Sequence, residues 1–208
     1  MRNLLLILTL IIAAIGAVSC ESPRSGNAAK NTPEIKKGVT PIADPEIAVI
    51  EMENSAAYGT IKIELYSNIA PKMVERFKEL ALEGVYDGTT FHRINGSVIQ
   101  GGDPLSKDND PANDGTGKSN KPNVPAEFSD IPYDTGIVGA ARGQDNNSAN
   151  SQFFVTLKRE QGFDNRYTIF GKVIEGMNNV RTIAGVQPKE GERPVEPIRI
   201  RSVRIVPR

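Results

Sequence analysis

The chain has 208 residues, with 25 Lys and Arg against 25 Asp and Glu, so its formal net charge is zero and it offers no basic excess to a nucleic acid. One His and one Cys cannot build a Cys/His zinc site, and a Ser-His-Asp triad would have to take its base from His92. With 38% apolar residues, 19 Gly and 14 Pro, the composition suits a loop-rich, β-leaning domain.

Residues 1–19 carry Arg2 near their start and continue as an apolar run from Leu4 to Val18. That run matches the hydrophobic region of a signal peptide and is shorter than the roughly 18–20 residues a spanning helix needs. Cys20 follows "AVS" directly, which resembles the lipobox of bacterial lipoproteins, although Ala17 stands where Leu is usual. Lipidation at Cys20 is the expected outcome, with an anchored protein in the bacterial cell envelope, on its periplasmic or extracellular face. A plain signal peptide or an uncleaved anchor with an incidental Cys is the alternative. Residues 20–44 are polar and rich in Pro, Gly, Ser and Lys, and are expected to form a flexible tether. With no second Cys, the domain over 45–208 must be held together by its core.

Within that domain, residues 47–53 and 59–66 read as a β-hairpin, the second run alternating Ile61, Ile63 and Leu65 with polar positions. "APKMVERFKELALEG" then reads as a helix, with Pro71 in its first turn, Gly84 as its stop, and a stripe of Met73, Phe77, Leu80 and Leu82. Further β-type runs are "TTFHRI", "SVIQGG", "GIVGAA", "SQFFVTL" and "TIFGKVIEG", followed by a second short helix over 177–185. The last run, "PIRIRSVRIV", changes phase at Ser202 and Val203, which predicts a bulge; its arginines read as the wet face of a strand. About eight strands and two helices predict a mainly β fold: a closed antiparallel eight-stranded barrel. The longest polar loop, 105–123, is of a length usually functional or mobile.

"GTGKS" at 115–119 imitates the end of a phosphate-binding loop, but Ala112 stands where that motif needs Gly, and Pro122 argues against a following helix. His92, between Phe91 and Arg93 in a strand-like run, reads as a packed, hydrogen-bonded side chain rather than a base. Arg93 taken alone reads as a surface Arg in an ion pair.

The blocks "FHR", "QGGD", "SQFF" and "FGKV", in this order and spacing, resemble the cyclophilins, the cyclosporin-binding class of peptidyl-prolyl cis/trans isomerases. The resemblance runs from about Ile47 to Val206. It implies a chemistry that needs no metal, cofactor or nucleophile. An X–Pro amide isomerises over a barrier of ~18–20 kcal/mol because rotation breaks its resonance. The twisted nitrogen becomes a hydrogen-bond acceptor, so a fixed donor binds it better than either planar isomer. Arg, permanently charged and rigidly forked, suits that task.

By this resemblance Arg93 is the donor, Gln100 holds the substrate backbone or the guanidinium, and Phe154 floors the pocket for the proline ring. Gln152 is a polar neighbour; Ala141, Arg142 and Gly143 form the segment that pairs with the peptide; Gly115 lines the same groove. The pattern departs at the pocket walls. Ser97 stands at a usual Phe, Val98 at a usual Met, Gly162 at the usual Trp with Phe163 after it, and Tyr167 at the usual His. Phe91, or a residue of the long loop, is the candidate to refill the space. Reduced walls imply weak cyclosporin binding. The implied activity is isomerisation of X–Pro bonds in exported or envelope proteins by a monomer. Its alternative is a cyclophilin-fold binding or chaperone module of low turnover.

Overall fold

A computed structural model describes residues 33–108, 110–186 and 190–208. The expected signal segment and Cys20 lie outside these residues.

The main sheet has eight strands, all antiparallel: β2 (Glu46–Met52), β3 (Thr60–Leu65), β4 (Arg93–Ile94), β5 (Val98–Gly101), β7 (Ile137–Ala140), β8 (Phe153–Thr156), β9 (Ile169–Glu175) and β10 (Ile200–Pro207). Their order is β10-β2-β3-β9-β7-β8-β5-β4. A separate two-stranded parallel pair joins β1 (Ile35–Lys36) to β6 (Phe128–Ser129).

The sheet curves as a half-barrel, and its ladder is not closed, contrary to the sequence expectation. β10 and β4 remain its edges. The chain before β4 turns to the opposite neighbour: Thr90 bridges Arg199, the Phe91 N–H donates to Ile198 O, and the Ile200 N–H donates to Thr89 O. Residues 89–91 thus pair toward β10, while Arg93 and Ile94 pair with β5. The two pairings use different residues, and His92 lies between them.

Three α-helices are present among the described residues, one more than expected: α1 (Ser55–Tyr58), α2 (Pro71–Leu82) and α3 (Met177–Ala184). The short α1 is the β2–β3 connection, started by Asn54, whose side chain accepts from the Ala57 N–H. In α2 the buried stripe is Met73, Val74, Phe77, Leu80 and Ala81. Leu82, expected on that stripe, is 77% exposed, because it falls about 100° per residue past the buried face. The β10 register shifts between Ile200 and Ser202, which puts the bulge at Arg201, just before the phase change seen in sequence. Arg201 and Arg204 are exposed, as the wet-face reading predicts.

Strand alternation divides the apolar side chains into two clusters. The larger takes Ala48, Ile50, Ile61, Ile63, Ile99, Val138, Phe153, Val155 and Phe170 from the strands, with Met73, Phe77 and Leu80 from α2 and Val180 and Ile183 from α3. The smaller lies on the other face of β5, β8, β7 and β9, and holds Val98, Phe154, Ile137 and Ile169 with Tyr66, Ile69 and Tyr133. It is packed against by Ala141, Phe163 and Tyr167. Adjacent residues Phe153 and Phe154 therefore belong to different clusters.

Residues 33–44 were expected to belong to the tether, yet they lie against the domain. Besides the β1–β6 pairing, Lys36 Nζ donates to Ile69 O at 2.7 Å and the Ile42 N–H donates to Asn68 Oδ1 at 3.0 Å. Asp44 accepts from the Ser67 hydroxyl at 2.7 Å and from Lys78 Nζ at 2.8 Å. These are polar side-chain and backbone contacts, which leave no apolar period in the sequence.

Candidate active site

The site rests on the register of three adjacent strands. Arg93 of β4 stands opposite Gln100 of β5, and Gln100 stands opposite Phe154 of β8. Directly paired residues point to the same face, so the three side chains stand abreast. Gly139 of β7 continues the row opposite Phe154. A Cβ at Gly139 would lie 2.5 Å from Phe154 Cζ and 2.7 Å from the Tyr133 hydroxyl, so only glycine lets those rings lie over the strand.

Phe154 is 4% exposed and sits in an aromatic nest. Tyr133 stacks on it at 5.8 Å between ring centroids, while Phe163 and Tyr167 meet it edge-on at 5.5 and 5.6 Å. Edge-to-face pairs of this kind favour one ring geometry over others. The Arg142 guanidinium lies 4.7 Å over the Tyr167 ring and donates to the Arg166 carbonyl, which fixes the rim. Val98 is buried, Ser97 is half-buried, and nothing lies within 4 Å of the place a Cβ would take at Gly162.

A chain of hydrogen bonds runs across the strands. Arg93 Nη1 donates to Gln100 Oε1 at 3.3 Å, and Gln100 Nε2 donates to Gln152 Oε1 at 2.9 Å. Gln152 Nε2 then donates to the carbonyls of Gly115 at 3.1 Å and Gly117 at 2.8 Å. Gln100 and Gln152 line a pocket of about 280 Å³, together with Gly115, Lys118, Ala141 and Arg142. In the segment expected to pair with a peptide, the Ala141 N–H already donates to Gln152 O and the Gly143 N–H to the Ser148 hydroxyl. The Arg142 N–H has no partner among the described residues.

The long loop forms one wall of this groove, and Asp103 sets its shape. That buried carboxylate accepts from the N–H groups of Leu105, Gly115 and Gly117. The amides that imitate a phosphate-binding loop are therefore satisfied by the protein's own carboxylate.

Two sequence expectations fail here. Phe91 does not join the site: it is fully buried in the larger cluster, edge-on to Phe153 at 6.2 Å. Its position on the Thr90 bridge toward β10 turns it inward. His92 is packed, but neither ring nitrogen has a hydrogen-bond partner among the described residues. Burial pushes its pKa down; the Asp103 carboxylate and a backbone contact at Thr90, too poor in geometry to count as a hydrogen bond, oppose that shift, while Arg193 and Arg93 add to it, so the ring is neutral at pH 7. A larger hollow of about 420 Å³ lies beside His92, lined also by Arg193 and Pro197 but by none of Arg93, Gln100 and Phe154.

Sequence reasoning missed Glu192. Its carboxylate binds Arg93 Nε at 2.7 Å, with Arg93 45% and Glu192 44% exposed. Burial works to raise the Glu192 pKa, but hydrogen bonds from Asn95 and Arg93 outweigh it and hold the carboxyl below its ordinary range. The lone-Arg reading of Arg93 as an ion-paired residue is thus correct as far as it goes. No motif marks Glu192, which lies 99 residues from its partner.

Comparison with known proteins gives one consistent answer. The model of the family described as cyclophilin type peptidyl-prolyl cis-trans isomerase matches residues 49–205. A probable peptidyl-prolyl cis-trans isomerase of Brucella suis is 44% identical over 146 residues, 68% of this chain and 73% of that protein. The peptidyl-prolyl cis-trans isomerase ppi1 of Schizosaccharomyces pombe is 36% identical, over 74% of this chain and 96% of its own. A Cryptosporidium parvum cyclophilin type isomerase, crystallised in the presence of the dipeptide Ala-Pro, superposes with a TM-score of 0.69 at 28% identity. It covers 78% of this chain and 99% of that one.

Proposed function

Since this chain belongs to the cyclophilin-type peptidyl-prolyl cis-trans isomerases, we propose that Arg93, Gln100 and Phe154 are the groups by which it isomerises X–Pro bonds. The reading is carried by one observation: donor, polar partner and apolar floor stand abreast on β4, β5 and β8. A proline ring seated against Phe154 puts its imide nitrogen toward the Arg93 fork. Phe163, Tyr167 and Val98 wall the ring, and Ser97 leaves one side open. The peptide chain on either side follows the groove of Gln152, Ala141, Arg142, Gly143 and Gly115. Arg93 binds the twisted imide more tightly than the planar one, and this difference is the source of the rate.

The peptide class is supported by the Cryptosporidium relative, whose crystal structure is described as in the presence of the dipeptide Ala-Pro. An NMR titration with an Ala-Pro-containing peptide tests the assignment. Shifts gathered at Arg93, Gln100, Phe154 and Tyr167 are expected; shifts confined to the hollow beside His92 would refute it.

The proposal extends to the setting of the reaction. Lipidation at Cys20 would hold the monomeric domain at the outer side of a bacterial cytoplasmic membrane or beyond, where its substrates are exported polypeptides. The N-terminal sequence alone supports this. Incorporation of an alkyne fatty acid by the full chain, lost in Cys20→Ser, is the expected result; equal labelling of both would exclude it.

A further inference from the structure

We propose that Glu192 and Asn95 form a clamp that positions Arg93 for catalysis; the proposal rests on the assignment of Arg93 as donor. Arg93 needs such a device. It sits on an edge strand of two residues, its side chain is 45% exposed, and apart from Glu192 its one side-chain anchor among the described residues is the 3.3 Å bond to Gln100. A long, exposed side chain with one weak anchor samples many rotamers, and a donor that must meet a twisted nitrogen gains from being held in advance.

The clamp is built from the turn upward. Asn95 Oδ1 accepts from the N–H groups of Ser97 at 2.8 Å and Val98 at 2.9 Å. Those two bonds fix the orientation of the amide, so Nδ2 must face the other way. There it donates to both oxygens of Glu192, at 3.2 and 3.1 Å. The second of those oxygens also accepts from Arg93 Nε at 2.7 Å. Both Glu192 oxygens therefore face donors, and only a carboxylate offers acceptors on both sides. Glutamine would turn its own NH₂ group toward Asn95 Nδ2 or Arg93 Nε.

The backbone is committed to the same end. Glu192 has φ +67° and follows Gly191 at φ +79°, a left-handed conformation that residues with a side chain seldom adopt. With Nε on Glu192 and one Nη1 hydrogen on Gln100, the guanidinium plane is fixed at two points. The Nη2 hydrogens have no partner among the described residues and are left for the substrate. Because Asn95 also shapes the turn bearing Ser97 and Val98, the clamp ties the donor to the wall of the proline pocket.

Glu192 acts through Arg93, so it is a positioning residue, and the test must separate that from a role in folding. Steady-state isomerisation of an Ala-Pro peptide is measured for wild type, Glu192→Gln, Arg93→Ala and the double variant. The expected result is a kcat lowered about five- to tenfold in Glu192→Gln with KM unchanged, and no further loss when the change is added to Arg93→Ala. Glu192→Asp, which keeps both acceptors one methylene shorter, is expected to fall between. Unchanged kcat in Glu192→Gln, or an equal loss in both backgrounds, would overturn the clamp. Wild type no faster than Arg93→Ala would instead overturn the donor assignment, and the clamp with it. A second measurement needs no variant: in wild type, the Arg93 Nε–H is expected to exchange with water more slowly than those of exposed arginines. Exchange at the same rate would overturn the clamp even if the variants did not fold.

Discussion

Arg93 and Gln100 are direct cross-strand partners, and the guanidinium of one donates to the amide oxygen of the other at 3.3 Å. Gln100 is also tied to Gln152, and Gln152 to the long loop, so Arg93 and the groove wall belong to one hydrogen-bonded row. Replacing Gln100 by Ala removes the middle of that row. The expected effect is a fall in kcat/KM of about three- to tenfold with little change in thermal stability, read in an isomerisation assay and a melting curve. A loss confined to stability would assign Gln100 to the fold alone.

Gly139 is the place where the nest around Phe154 tolerates no added atom. Gly139→Ala puts a methyl within 2.5 Å of Phe154 Cζ. Overpacking of this kind costs about 1–3 kcal/mol, and the ring that shifts is the proposed pocket floor. Both a lower melting temperature and a raised KM for Ala-Pro peptides are expected. A variant with wild-type KM would show that Phe154 does not bear on the substrate.

Gly162 makes the opposite prediction. Nothing lies within 4 Å of a Cβ there, so a large side chain enters open space. The resemblance to cyclophilins puts their cyclosporin-contacting Trp at this position. Gly162→Trp is expected to tighten cyclosporin binding about tenfold or more, the return for about 1–3 kcal/mol of aromatic burial, with isomerase activity nearly unchanged. Calorimetric titration checks it; equal affinity in both proteins would contradict it.

His92 predicts a pH effect on stability. Burial lowers its pKa, with Asp103 and the Thr90 backbone opposing and Arg193 and Arg93 adding to the shift, and it is the chain's only His. The unfolded chain takes up a proton near pH ~6.5, where the folded ring does not. The stabilisation tied to the neutral ring is therefore complete above that pH and lost as pH falls toward the folded pKa. Melting temperature is expected to drop between pH 7.5 and 5.5 in wild type and to stay level in His92→Gln. A level wild-type curve would refute the buried, unpartnered ring.

Much of the fold was legible because alternation alone assigns faces. Ile61, Ile63 and Leu65 read as inward and are fully buried. The same rule sends Phe153 to the core and Phe154 to the site. The Arg93–Gln100 pairing was legible once the four sequence blocks were seen together, since a tight turn between strands makes residues seven apart into neighbours. Glu192 was not, because its contact depends on a left-handed turn 99 residues away. Phe91 was misassigned for a related reason: whether residues 89–91 pair with β4's neighbour or with β10 is a tertiary choice. Residues 33–44 read as tether because Asp44, Asn68 and Lys78 hold them by polar bonds, which create no hydrophobic period.

The most direct test is a protease-coupled isomerisation assay on an Ala-Pro peptide, comparing wild type with Arg93→Ala. A guanidinium that favours the twisted imide predicts that wild type accelerates the reaction and that the variant loses about 10²-fold in kcat/KM, the usual cost of deleting a transition-state donor. Equal rates in the two proteins would contradict that account.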